Sequence, residues 1–165
     1  MKLFALPEKY LLPSPRLIVG VELHKFSLGY HLTMRSFDCP LVNPDADAGP
    51  ADFGMVLGIC SRSLKKNLRD FNGEWLREQS ILFTRRTRKA EDFAAASERI
   101  RQYLRSSYIG LELFQKMQNP DLPWETSLTL FLTRLGMTQG DIMNSHLPAC
   151  LYLASAAVHA TTPKE

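Results

Sequence analysis

The sequence predicts an all-α fold, a compact domain of five to seven short helices with an extended N-terminal arm. Three observations predict it. Apolar residues recur at steps of three and four along most of the chain, the period of a helical face. Prolines and glycines stand where such faces begin and end. The 165 residues, 45% of them hydrophobic, suffice for one domain with a real core. The boundaries read as an arm over 1–20, a helical domain over 21–160 and a frayed tail over 161–165.

Pro7, Pro13 and Pro15 make the first twenty residues extended, since each removes a backbone donor and biases its predecessor away from helix. Leu3, Phe4, Leu11, Leu12, Leu17 and Ile18 give this arm apolar surface for docking on its own core or on a partner. In the next segment Leu23, Phe26, Tyr30 and Met34 fall on one helical face, which Gly29 weakens by about 1 kcal/mol relative to alanine and Pro40 ends. Asn43 to Pro50 gathers turn formers and acids into a loop, with Pro50 in the first turn of the following helix.

That helix buries Phe53, Val56, Leu57 and Cys60, and Gly54 and Gly58, four residues apart, allow a neighbouring helix to approach closely. Ser61 or Ser63 caps a short helix through Leu64 and Leu68, and Asn72-Gly73 breaks the chain. The segment holding Trp75, Leu76, Ile81, Leu82 and Phe83 fits either a helix or a short strand. The clearest helix carries Phe93, Ser97, Ile100, Leu104 and Tyr108 on one stripe and Glu98, Arg101 and Arg105 opposite. Glu91 and Asp92 favour its dipole at the first turn, and the pattern runs on to Phe114.

A linker with Pro120 leads to a helix opened by Pro123, Trp124 and Glu125, with Asp121 or Leu122 just ahead. Its stripe is Trp124, Leu128, Phe131, Leu132 and Leu135, and Gly136 ends it as the residue after the cap. Thr138 caps a short turn with Asp141, Ile142 and Met143. Asn144 or Ser145 starts a last helix with Leu147, Leu151, Ala154 and Val158 on one side, and small residues Ala149, Ala154, Ser155, Ala156 and Ala157 that let another helix come near.

The chemistry is sparse. Neither a phosphate-cradling glycine loop nor a G-x-S-x-G elbow occurs in the sequence. Cys39, Cys60 and Cys150 are far apart and odd in number, which favours buried free thiols over disulfides or a zinc site. His24 and His31, two helical turns apart, would sit about 10 Å from each other along an axis, too far to share one metal ion unaided. Asp38, Cys39 and the Ser61–Ser63 pair beside those histidines outline an enzyme reading, in which His24, His31 and Cys39 converge on one pocket; capping explains the serines without it. No catalytic residue, metal or cofactor is expected.

No apolar run reaches the roughly 20 residues that cross a bilayer, and Pro7 and Glu8 interrupt a signal-peptide core, so a cytoplasmic location is expected. The net charge of +3 is concentrated in the middle. Residues 60–110 hold twelve basic against six acidic residues, whereas the flanks are slightly acidic. Arg85, Arg86, Arg88 and Lys89 form one basic cluster, and Arg62, Lys65, Lys66 and Arg69 a second. Such clusters bind phosphate backbones by releasing counterions, or serve as a solvated face or a site for an acidic protein.

Three stretches, "HKFSLGYHLTMRSFDCPLV", "GMVLGICSRS" and "LPWETSLTLFLTRLGMTQGDIMNSHLPACLYL", together resemble the small tail assembly chaperones of tailed bacteriophages. In the last, Pro123-Trp124-Glu125 opens a helix followed by a Gly-Met-Thr hinge and an alanine-rich closing helix. The resemblance implies a non-enzymatic helical protein that keeps the tape-measure protein soluble and brings tail-tube subunits to it, in the host cytoplasm. It carries over no catalytic residue, and the basic middle does not belong to the pattern. Helix-in-groove recognition of a client would use Trp124, Leu128, Phe131 and Leu135, the same stripe that otherwise makes core. The alternative is a small nucleic-acid-binding protein working through Arg85, Arg86, Arg88 and Lys89.

Overall fold

The computed structural model of the protein describes residues 16–70 and 73–161. The arm up to residue 15, Asn72 of the predicted break, the tail over 162–165 and the side chains of Leu68 and His159 lie outside the described residues. The all-α expectation holds, but the described residues form nine α-helices rather than five to seven, with a two-stranded hairpin at the front. Strand β1 (Leu17–Ile18) pairs antiparallel with β2 (Val21–Glu22), Leu17 opposite Glu22 and Ile18 opposite Val21. Val19 and Gly20 turn the chain at φ of 44° and 76°, the left-handed pair that suits the twist of a hairpin. Ile18 is wholly buried, so the last residues of the predicted arm belong to the body.

The first helix is shorter than its apolar spacing predicts. Leu23 and Phe26 are buried but precede α1 (Leu28–Ser36), and only Tyr30 and Met34 lie within it. A short 3-10 turn, Pro40–Val42, follows. Pro50 opens α2 (Pro50–Cys60) as expected, and Asp52 accepts the Gly49 amide at 2.8 Å, satisfying one of the free donors at the helix start. Ser63 accepts the Lys66 amide at the start of α3 (Leu64–Asp70).

The ambiguous segment is helical, α4 (Gly73–Arg86), because it must lie along α2. A Cβ on Gly54 would stand 2.6 Å from the Ser80 Cα, and one on Gly58 2.7 Å from the Gln79 Cγ, so both glycines are contact points of the α2–α4 pair. The long amphipathic stretch divides in two: α5 (Ala90–Ser107) and α6 (Leu111–Met117) are separated at Gly110, whose φ of 91° no ordinary helical residue adopts. Arg101, expected on the solvent side of α5, is half-buried; it donates to the carbonyls of Pro44 and Ala46 and lies over the Phe53 ring, pinning the acidic loop.

Pro123 is the N-cap of α7 (Trp124–Arg134), and Gly136, at φ 87°, ends it. Thr138 and Asp141 cap α8 (Gln139–Asn144) reciprocally, side chain to amide in each direction. The last helix, α9 (Leu147–Thr161), is tied to the front of the chain by the Leu147 amide, which donates to the Phe26 carbonyl at 2.9 Å.

Helices α2 and α4 form one side, α6, α7 and α9 the other, and α5 touches both. Phe53, Phe83 and Phe93 meet in the first half; Phe26, Tyr103 and Tyr108 meet edge to face in the middle. Each fully buried side chain of this size contributes roughly 1.5–3 kcal/mol. All three cysteines are free and buried, and burial pushes their thiols up, Cys39 and Cys150 to about 11 and Cys60 to about 12.

Candidate functional site

Helix α7 carries two faces of different kind. Leu128 and Leu132 are fully buried against the core. Leu130 and Leu135 lie outside, 49% and 52% exposed, with Leu113 and Leu122 also exposed on the neighbouring α6 and linker. The predicted stripe therefore splits. Leu128 is closed off, Trp124 and Phe131 are half-buried, and Leu135 stands in solvent at the end of the helix.

Phe131 meets Phe114 edge to face at 6.3 Å and so holds α7 on α6. Its other side lines a groove of about 220 Å³ shared with Leu122, Leu130, Ser127, Gln118 and Arg134. The hydroxyl of Ser127 and the side-chain oxygen of Gln118 are both buried and have no hydrogen-bond partner among the described residues. A buried polar atom without a partner costs about 1–3 kcal/mol. A groove with apolar walls and two such atoms offers an incoming peptide both a surface to cover and hydrogen bonds to complete. Periodicity marks Phe131, but not Leu130, Ser127 or Gln118, because nothing local says which flank of α7 meets α6.

The opposite flank of α7 is fixed by a buried polar network that the sequence does not announce. His31 of α1 is 5% exposed and Glu125 of α7 is 7% exposed. The Tyr108 hydroxyl lies 2.7 Å from His31 Nδ1, and Glu125 Oε1 lies 3.1 Å from Nε2. Because a carboxylate only accepts, Nε2 carries a proton, and when the imidazole is neutral Nδ1 accepts from the tyrosine hydroxyl. Burial lowers the His31 pKa in agreement. Burial opposes the charge of Glu125, but its own backbone amide, His31 and Arg35 together hold its carboxyl below the ordinary value. Arg35 closes the network by an ion pair with the same carboxylate oxygen, and the His31 ring packs on Trp124 at 4.9 Å. Both ring nitrogens of His31 are thus occupied.

The convergence that the enzyme reading requires is not found. His24 is exposed and lines two hollows that contain neither His31 nor Cys39, both of which are buried. Among the described residues no group of three His, Cys, Asp or Glu is placed to hold a metal ion. Arg85 and Arg86 end α4, Arg88 and Lys89 form the turn to α5, and all four are exposed. Arg86 also donates to the Val19 carbonyl at 3.2 Å, bracing the hairpin. No described helix is long and apolar enough to cross a membrane.

Fold and surface together describe an all-α protein with an open apolar groove between α7 and the linker that follows α6. No protein-family model matches the chain, and neither curated proteins nor solved structures return a match.

Proposed function

We propose that this chain is a non-enzymatic helical adaptor, whose groove between α7 and the preceding linker seats an apolar segment of a protein client. The observation that carries the reading is the groove itself, in which Leu122, Leu130 and Phe131 surround the unpartnered Ser127 and Gln118. Helix-in-groove recognition places apolar anchors in such a groove. The particular form we propose is a phage tail assembly chaperone, with the tape-measure or tail-tube protein as client; the resemblance of the three sequence stretches supports it.

The test is co-expression with a tape-measure protein and, separately, with a tail-tube protein, followed by capture at low and at high salt. The expected result is a soluble complex that survives high salt and is lost in Leu130→Glu, since apolar burial is little affected by screening. Absence of a salt-resistant complex with either tail protein would overturn the phage assignment.

The exposure of Arg85, Arg86, Arg88 and Lys89 at one turn favours a second reading, binding of nucleic acid. Contacts to several phosphates would weaken steeply with salt. Nucleic acid retained at low salt and released by Arg85→Glu or Arg88→Glu would favour it over the groove.

A further inference from the structure

A second hollow, of about 330 Å³, opens where the hairpin meets the N-terminus of α1, lined by Arg16, His24, Lys25, Ser27, Ser63 and Asn144 among others. Its volume lies at the lower end of small-ligand sites, roughly 300–1,000 Å³. The adjoining hollow shares Arg16 and His24 and adds Glu22, the acid on that side, which is already paired with Arg16 at 3.0 Å. Lys25 is exposed and pairs with no acid among the described residues. His146, bridged to Ser27 through the backbone, is pushed below its ordinary pKa by burial and by the charges of Lys25 and Arg16, which marks the local field as positive.

Ser27 is the decisive residue. It occupies the N-cap position of α1, where a serine ordinarily accepts an amide of the first turn. Here its side chain makes no cap bond, is fully buried, and its hydroxyl has no partner among the described residues. A buried hydroxyl left unused at a helix start, in a hollow lined by two cations, is available to donate to an anion. Helix N-termini favour anions, and serine hydroxyls and ammonium groups together suit the several oxygens of a phosphate.

We propose that this hollow binds a phosphate dianion, free or as the head of a small phosphorylated molecule, through the Lys25 ammonium and the Ser27 hydroxyl, with Arg16, His24 and Asn144 beside them. The site is separate from the groove along α7 and does not depend on the adaptor reading.

Isothermal titration of the full chain with inorganic phosphate and with AMP, against sodium chloride of equal ionic strength, tests the proposal. Phosphate binding is expected where chloride gives none. AMP binding about tenfold tighter than phosphate would identify a phosphorylated organic ligand, and equal affinities would identify phosphate itself. Lys25→Glu is expected to abolish binding. Ser27→Ala is expected to weaken it about tenfold without lowering the unfolding temperature in phosphate-free buffer, because that hydroxyl has no partner to lose in the unliganded fold. Lys116→Glu makes the same charge change on α6 and is expected to bind as the parent does. The proposal fails if neither phosphate nor AMP binds at millimolar concentration, if Lys25→Glu and Ser27→Ala bind normally, or if Lys116→Glu loses as much affinity as Lys25→Glu.

Discussion

Glu125 illustrates how a residue with an ordinary local role acquires a larger one. At the first turn of α7 an acid favours the helix dipole, and the sequence supports no more than that. In the fold it is buried and accepts from buried His31 and from Arg35, whose side chain reaches solvent. Glu125→Ala would leave the buried His31 Nε2–H without an acceptor, while Arg35 stays hydrated, and is expected to cost about 1–3 kcal/mol, read from urea unfolding. The pH dependence has a definite sign. Burial lowers the His31 pKa, so between that value and the ordinary 6.5 the unfolded chain binds the proton and the folded one does not. Stability is therefore complete above pH 6.5 and falls on acidification. Glu125, whose pKa is also lowered, adds a further loss once pH drops below the usual 4.5. His31→Gln is expected to flatten the first part of this decline in thermal unfolding between pH 7 and 5; an unchanged slope would refute it. The thiols give a simpler case. With Cys39, Cys60 and Cys150 buried and their pKa values raised to about 11 or 12, a thiol reagent at pH 7.5 is expected to label them slowly in the native state and fully in denaturant.

Among the elements, the glycines of α2 separate propensity from packing. Alanine favours a helix interior over glycine by about 1 kcal/mol. Gly54→Ala should nevertheless destabilise by about 1–3 kcal/mol, since the new methyl would press on the Ser80 backbone. Gly140→Ala in α8 meets nothing closer than 3.9 Å and should stabilise by up to about 1 kcal/mol. Helix α7 allows a matched pair: Leu128→Ala should cost about 2–5 kcal/mol, whereas Leu130→Glu should stay within about 0.5 kcal/mol of the parent. Denaturant midpoints compare all four directly. The four-residue spacing of Gly54 and Gly58 made the α2 contact legible, and the Thr138, Ser63, Pro50 and Gly136 signals placed helix ends correctly. Apolar spacing overextends the first helix, because Leu23 and Phe26 keep helical spacing in a segment outside α1 whose buried side the core chooses.

For the molecule as a whole, the sequence determined the class of fold, most of the helix ends though not the break at Gly110, the buried thiols and the basic middle, since each depends on residues near one another in the chain. Only the tertiary structure decided that Leu128 is sealed and Leu130 open, that His31 meets Glu125 across 94 residues, and that Arg16, Lys25 and Ser27 line one hollow. Periodicity tells which residues share a face. Which faces then cover one another depends on packing every element at once, and the surfaces left open, on which both proposals stand, are what that packing leaves uncovered.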